Sequence, residues 1–383
     1  MNSSKVRLGE VCKLHYGKSL REYQNLASDD NCVRVFGTNG PIGWTKEALT
    51  DHSTLVIGRK GAYRGVHFSE TPSWTIDTAF FTTIDEGRLN LKWFYYRLCL
   101  LDINRMNSGG AIPSTSREDF YSVEINAPGL LTQARVASVL STYDDLIENN
   151  RRRIELLEEA ARMLFREWFV HFRFPGYEHV EIINGIPEGW EVCRLDDCVS
   201  FRSGGTPSKA KEEYWQGDVP WISSGELTTM RVCTSQYSVT NDAVAAGSRY
   251  AERDTILAVV RGMSLAKEFR VGIVSKRVCF NQDIKALEPD RGVEGLFLFH
   301  ALFDQKEDIR QRATEASHGT KKLETSVLEG LKIVVPLAAV RRQFIDYVEP
   351  MHAQWDVLFQ QNRHLIEARD LLLPRVMNGE IAV

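Results

Sequence analysis

At 383 residues, with 43% hydrophobic and 26% charged side chains, the chain is long enough for two or three ordinary globular domains. Its 47 basic and 51 acidic residues give a formal net charge of -4, which excludes a protein that holds nucleic acid by overall charge alone. No apolar run reaches membrane-spanning length and the start MNSSKVRLGE lacks a signal-peptide core, so no helical membrane span is expected and the expected location is cytoplasmic.

The chain opens with Arg7-Leu8-Gly9-Glu10-Val11-Cys12 and continues to Tyr16-Gly17-Lys18-Ser19. Strands are expected at Cys32–Phe36, Thr54–Ile57, Phe80–Ile84 and Val123–Asn126, with a helix near Leu91–Leu101. From Val136 the apolar positions fall at Leu140, Tyr143, Ile147, Asn150, Ile154, Leu157, Ala161, Leu164 and Trp168, alternating steps of four and three. That is a heptad seam, and the charged residues between its members form a solvated face. About 40 residues at 1.5 Å each would span roughly 60 Å.

The opening then recurs as Arg194-Leu195-Asp196-Asp197-Cys198-Val199, 187 residues on from Arg7. Strands are expected at Val219–Ile222, Thr255–Val260, Val271–Val274, Ile284–Leu287 and Leu331–Val335, with a helix near Gly295–Gln311. Val123–Pro128 is matched by Leu331–Pro336 at an offset of 208, and Tyr143, Asn150 and Glu155 by Trp355, Asn362 and Glu367 at 212. The second copy therefore carries about 25 more residues, as loops readily do. A second seam runs through Val348, Met351, Trp355, Leu358, Asn362, Leu365 and Leu372, with Pro350 at a first turn or kink and Pro374 at the helix end. One Asn in each seam would fix register and partner at some cost in stability.

The expected fold is α+β: two mixed α/β globular domains separated by two long coiled-coil helices that pair with each other. The boundaries are 1–128 for the first domain, 129–174 for its helix, 175–335 for the second domain and 336–383 for the last helix. Tyr143, Ile147, Asn150 and Ile154 are expected to pair with Trp355, Leu358, Asn362 and Leu365.

Arg outnumbers Lys 32 to 15, and Arg reads phosphate and guanine bidentately. Loops rich in Gly, hydroxyl and basic side chains recur at corresponding places in both copies, where the backbone can approach a ligand closely. The candidate DNA-contacting residues are Asn39, Arg59, Lys60, Tyr63, Arg64, Ser114, Thr115, Ser116 and Arg117 in the first copy. In the second they are Ser223, Ser224, Glu226, Arg261, Ser264, Lys267, His318, Thr320, Lys321 and Lys322. Catalytic signatures are missing: no GxxxxGK[ST] loop, no Asn-Pro-Pro-Tyr-like base-methylation motif, no HExxH, and no CxxC among seven cysteines. Three readings remain open at this point: a DNA-binding subunit, a non-catalytic coiled-coil adaptor with duplicated protein-binding domains, and an enzyme with an unrecognised active site.

The two Arg-Leu openings, the entries Ile125–Pro128 and Ile333–Pro336, the helix IENNRRRIELLE (Ile147–Glu158) and the segment Gly185-Ile186-Pro187-Glu188-Gly189-Trp190 together favour one family. Over essentially its whole length the chain resembles the specificity subunit of type I restriction-modification systems. The resemblance implies that each globular part is a target recognition domain reading half of a bipartite double-stranded DNA site, with the two long helices packed antiparallel as spacer and the whole pseudo-two-fold. It also implies two methyltransferase subunits and restriction subunits as partners in phage defence. Those partners would use S-adenosylmethionine, ATP and Mg, with no cofactor or metal bound by this chain. Phe165, Trp168, Phe169 and Phe172 would either dock the methyltransferases or lie in the chain's own core.

Overall fold

The computed structural model describes residues 3–106, 113–316 and 319–383. Two compact units emerge, one of residues 1–148 and 362–383 and the other of residues 149–361. Both long helices are thus shared out between the units, whereas the sequence boundaries kept each helix as a segment of its own.

In the first unit a four-stranded antiparallel sheet has the order Cys12–Tyr16, Ala79–Ile84, Thr54–Gly58, Val66–Ser69. Every residue of Thr54–Gly58 is buried, which is why this segment reads as a continuous apolar run and not as an alternation. A second sheet joins Val33–Gly37 to Gly40–Thr45 and, in parallel, to Ser73–Thr75. The helix Leu91–Cys99 closes the core with Trp93 and Phe94, its first turn capped by Asn90 Oδ1, which accepts from the Trp93 amide at 2.9 Å.

The second unit repeats this plan. Val199–Ser203, Ile284–Pro289, Ile256–Val259 and Val271–Val274 form the antiparallel sheet, and Val219–Ile222 runs parallel to Val278–Phe280. The equivalence reaches single hydrogen bonds: the Leu8 amide donates to the Val123 carbonyl at 2.9 Å and the Leu195 amide to the Leu331 carbonyl at 2.8 Å. Between the strands that begin at Val219 and Ile256 the second unit inserts the strand Arg231–Val232, the helix Asn241–Ala245 and the strand Tyr250–Ala251. The matching strands of the first unit begin at Val33 and Thr54, so most of the extra length lies here. The helix expected at Gly295–Gln311 is two, Gly295–Asp304 and Lys306–Gln311.

The first long helix spans Leu130–Phe165 and ends in a wide turn, Arg166–Val170. Its start is fixed by Gln133, fully buried, whose Oε1 accepts from the Asn90 amide at 2.8 Å while its Nε2 donates to the Arg88 and Pro128 carbonyls at 3.0 and 2.7 Å. The second long helix spans Ala338–Met377. Neither proline ends it: Pro350 lies thirteenth in its 40 residues and Pro374 three residues before its end. Pro350 is exposed, so the carbonyl that its missing N–H leaves unpaired can turn to water.

Within each unit the two helix segments run antiparallel. In the first, Arg369 Nη1 pairs with Asp144 Oδ1 at 2.7 Å and Asn362 Nδ2 donates to the Ile147 carbonyl at 3.2 Å. In the second, Trp355 Nε1 donates to Glu158 Oε1 at 2.8 Å, and the Phe344 ring lies 5.9 Å from Phe165 and 6.0 Å from Trp168. All eight of the expected pairing residues are buried or half-buried. Asn150 and Asn362 are both buried, and the bond that Asn362 makes goes to a backbone carbonyl.

Phe165, Trp168 and Phe169 belong to the core of the second unit, with Phe172 packed against it. They are therefore spent on folding and are not a docking surface.

His300 and His352, both buried, face each other with Nε2 atoms 3.0 Å apart, so one ring donates to the other's lone pair and both are neutral. Burial pushes His300 down to about 3, and burial with the neighbouring His300 and Arg231 pushes His352 to about 2. Because the folded values lie below the unfolded value of about 6.5, this stability is complete above pH 6.5 and is lost progressively as pH falls toward 3. Each ring contributes a slope of up to about 1.4 kcal/mol per pH unit in that window. Urea midpoints should drop between pH 7 and pH 5, and less so in a His300→Phe/His352→Leu variant. An unchanged pH slope in that variant refutes the assignment.

Candidate nucleic-acid interface

In the first unit the chain after the buried strand Thr54–Gly58 turns sharply, and the segment around Pro113–Ser116 is laid along it. The Gly61 amide donates to the Pro113 carbonyl at 3.0 Å, the Thr115 amide to the Arg59 carbonyl at 2.8 Å, and Lys60 bridges to Ser114. Thr38 Oγ1 donates to the Lys60 carbonyl at 2.9 Å, and with its amide nitrogen turned inward Asn39 donates to the Tyr63 carbonyl at 2.6 Å. Three segments far apart in sequence are thereby fixed as one surface. At its centre stands Tyr16, half-exposed at a strand end, with the guanidinium of Arg59 5.0 Å from its ring centroid and that of Arg117 5.2 Å away. The Tyr16 and Tyr121 hydroxyls raise Arg117 above its ordinary value. Next along the strand, burial and the charges of Lys13 and Arg117 lower His15.

Not every candidate on this face is available. Arg64 is buried: Nη2 donates to the Asn104 carbonyl at 2.7 Å and its own amide to Asn104 Oδ1 at 2.8 Å, so it holds the Ile103–Arg105 turn. Thr115 is buried with Oγ1 donating to the Gly58 carbonyl at 2.8 Å, and Ser116 Oγ caps the helix Arg117–Ser122 by accepting from the Asp119 amide at 3.1 Å. Short polar side chains in tight loops satisfy the nearest backbone groups first. Arg59 and Arg117 are half-buried, while Asn39, Lys60 and Tyr63 are exposed.

The second unit builds the same construction from different residues. Arg261–Gly262 pairs antiparallel with Lys321–Lys322, and the Leu323 amide donates to the Val260 carbonyl at 2.8 Å. A Cβ on Gly262, which pairs with Lys321, would lie 3.8 Å from Ser224 Oγ and 3.9 Å from Ser264 Oγ in its own loop, so three of the candidate loops meet at one spot. Gly262 has φ +139, a conformation that favours glycine. Arg261 and Lys267 are exposed. Lys322 pairs with Glu324 at 2.7 Å and Lys321 with Glu315 at 3.8 Å, contacts weak enough to be exchanged for phosphate. Thr320 sits half-buried at the start of this hairpin. His318 lies outside the described residues.

Glu226 is committed elsewhere. Its Oε2 accepts from the Ser223 hydroxyl and amide at 3.0 and 3.2 Å, and its Oε1 from the Ser235 hydroxyl and Gln236 amide, both at 2.8 Å. It knots the turn that shapes the surface. Beside it, Arg270 Nη1 donates to the Gly225 carbonyl at 3.0 Å and supports the Ser224–Gly225 backbone. Tyr16, Tyr121 and Arg270 escaped the sequence reading. Tyr16 stood in the segment Tyr16-Gly17-Lys18-Ser19 that follows the first opening, and an aromatic ring at a strand end beside basic loops was the available signal.

Among the described residues no helix is long and apolar enough to cross a membrane. The family described as "Type I restriction modification DNA specificity domain" matches residues 2–159 and again 187–356. The type I restriction enzyme MjaIX specificity subunit of Methanocaldococcus jannaschii is 28% identical over 376 residues, covering 92% of this chain and 85% of that protein. The HindI specificity subunit of Haemophilus influenzae is 26% identical, covering 71% and 72%. The crystal structure of the type I restriction-modification S subunit from M. genitalium superposes with a TM-score of 0.59 at 18% identity, covering 98% of this chain and 96% of that one, and so shares the fold. With two loop-built basic surfaces on a duplicated scaffold and the family profile matching twice, the chain belongs to the type I restriction-modification DNA specificity family.

Proposed function

We propose that this chain is the non-catalytic, cytoplasmic DNA-specificity subunit of a type I restriction-modification complex acting in phage defence. The observation that carries the reading is the paired construction of the two surfaces: in each unit a basic loop after the central strand is clamped by a segment that follows the domain's helix. Each unit reads one half of a bipartite duplex, and the helices set the spacing between halves. Two methyltransferase subunits using S-adenosylmethionine would dock on it and modify adenine, and restriction subunits would supply ATP- and Mg-dependent cleavage. The near-neutral charge fits a subunit whose partners share the phosphate contacts, because affinity without sequence preference comes from basic charge.

The purified complex should shift a two-part duplex with sequence selectivity, and binding should weaken steeply between 50 and 200 mM salt, roughly in proportion to the phosphates contacted. Equal retention of all duplexes, or none, contradicts the proposal.

A further inference from the structure

We propose that the cavity walled by Trp215, Trp221 and Tyr237 in the second unit binds a single unstacked nucleobase, a reading that rests on and deepens the DNA-specificity assignment. The cavity is about 940 Å³, within the range of small-molecule sites. Its three rings stand nearly perpendicular to one another, at 78 to 81°, with centroids 5.1, 6.2 and 6.4 Å apart. Edge-to-face packing of this kind fixes the wall before any ligand arrives. Both indole N–H groups are already used, Trp215 donating to the Ser208 carbonyl at 3.2 Å and Trp221 to the Gly205 carbonyl at 3.0 Å. What the rings have left to offer is π surface.

The wall is held from behind by a close backbone approach. A Cβ on Gly205 would lie 1.8 Å from the Gly247 carbonyl oxygen and one on Gly204 2.3 Å from that of Phe280, so only glycine fits under Trp221. The polar lining is amide in character. Asn281 is locked by its Oδ1 accepting from the Asp283 amide at 3.2 Å, and Gln282 Oε1 accepts from Thr206 Oγ1 at 2.6 Å, which leaves the Gln282 amide nitrogen as a donor. That amide donor can meet an acceptor on the edge of a base, and the aromatic walls its face. Lys209 and Glu212 stand at the cavity with opposite charges, so an anion or a cation gains no net advantage over a neutral ring. Ser223 lines the same cavity and belongs to the Glu226-knotted turn, so the pocket is continuous with the loop surface described above. In the first unit the strand position equivalent to Trp221 is Val35, and the pocket is a feature of the second unit.

The base could come from a DNA strand or from a free nucleotide, and two arms of one experiment separate these sources. The full-length chain is titrated with AMP, GMP, CMP and TMP while tryptophan emission is followed. It is also titrated with its preferred duplex carrying a single abasic site at each position in turn. Tyr237→Ala should weaken binding of the base-bearing ligand about tenfold, and Gln282→Ala, at an exposed side chain, should change which base is preferred. Quenching by a monophosphate in the parent but not in Tyr237→Ala assigns a free nucleotide. A single abasic position at which the Tyr237→Ala penalty vanishes assigns a base from the duplex. The proposal is overturned if no monophosphate binds and both variants keep the parent's affinity and preference on intact duplex. In that result the parent's selective duplex binding leaves the DNA-specificity reading standing, whereas a parent that prefers no duplex sinks that reading by itself.

Discussion

Replacing Arg59 and Arg117 together by alanine is expected to abolish the sequence preference of one half of the DNA target while the other half is read as before. Both guanidinium groups lie within about 5 Å of the Tyr16 ring centroid, on a surface whose loops are clamped to one another by backbone hydrogen bonds. Cation–π contact with Tyr16 holds both guanidinium groups at this surface, where the planar fork suits a base edge. A bidentate Arg–guanine pair is worth about 1–3 kcal/mol of discrimination, so losing two should weaken the preferred duplex roughly a hundredfold. Arg→Lys at both positions retains the charge and loses the fork, and should restore overall affinity but not preference. If alanine weakened all duplexes equally, these residues would be phosphate contacts, and base reading in this unit would lie elsewhere.

The second large effect concerns stability. Arg231 is almost fully enclosed, its side chain 3% exposed, and grips Asp356 through two hydrogen bonds, the Nε one at 3.1 Å. Asp356→Ala would strand a buried guanidinium and should destabilise the second unit by about 3–5 kcal/mol, whereas Arg231→Met/Asp356→Leu, which removes both charges, should come close to the parent. Urea denaturation monitored through the tryptophans, five of eight of which lie in the second unit, is less discriminating than hydrogen exchange along Arg231–Val232. Early exchange there in Asp356→Ala, with protection recovered in the double variant, is the expected result. Equal stability of all three proteins would show that the pair carries no net stabilisation. Arg231 opens the edge strand of the inserted segment, so the same substitution should loosen the neighbouring turn that positions Ser235.

The duplication was legible because backbone roles repeat even where side chains do not. Leu8 and Leu195 occupy the same hydrogen-bonded position, and a spacing of alternating threes and fours disclosed both helices. The ends were harder to read. Pro374 lies within the helix although its missing N–H removes the helical bond to the Asp370 carbonyl, because Val376 and Met377 beyond it are buried in the first unit's core. Candidate surface residues were chosen by type and loop, and type does not reveal direction. Arg59 and Arg64 share one Gly-rich loop, yet one lies over Tyr16 and the other is folded inward onto Asn104. Glu226 was legible as a polar loop residue, but its four hydrogen bonds depend on a return of the chain at Ser235 and Gln236. The aromatic pocket depends on Trp215, Trp221 and Tyr237 meeting from three separate segments, which no local pattern announces.

Reading of a two-part site at a helix-set spacing is tested by selection of bound duplexes from a random library by the complex, for the parent chain and for a variant with four residues inserted in the first long helix between Glu148 and Glu159. A motif of two separated half-sites is expected for the parent, and the same half-sites at an altered spacing for the variant. A single contiguous motif, or an unchanged spacing after the insertion, would contradict it.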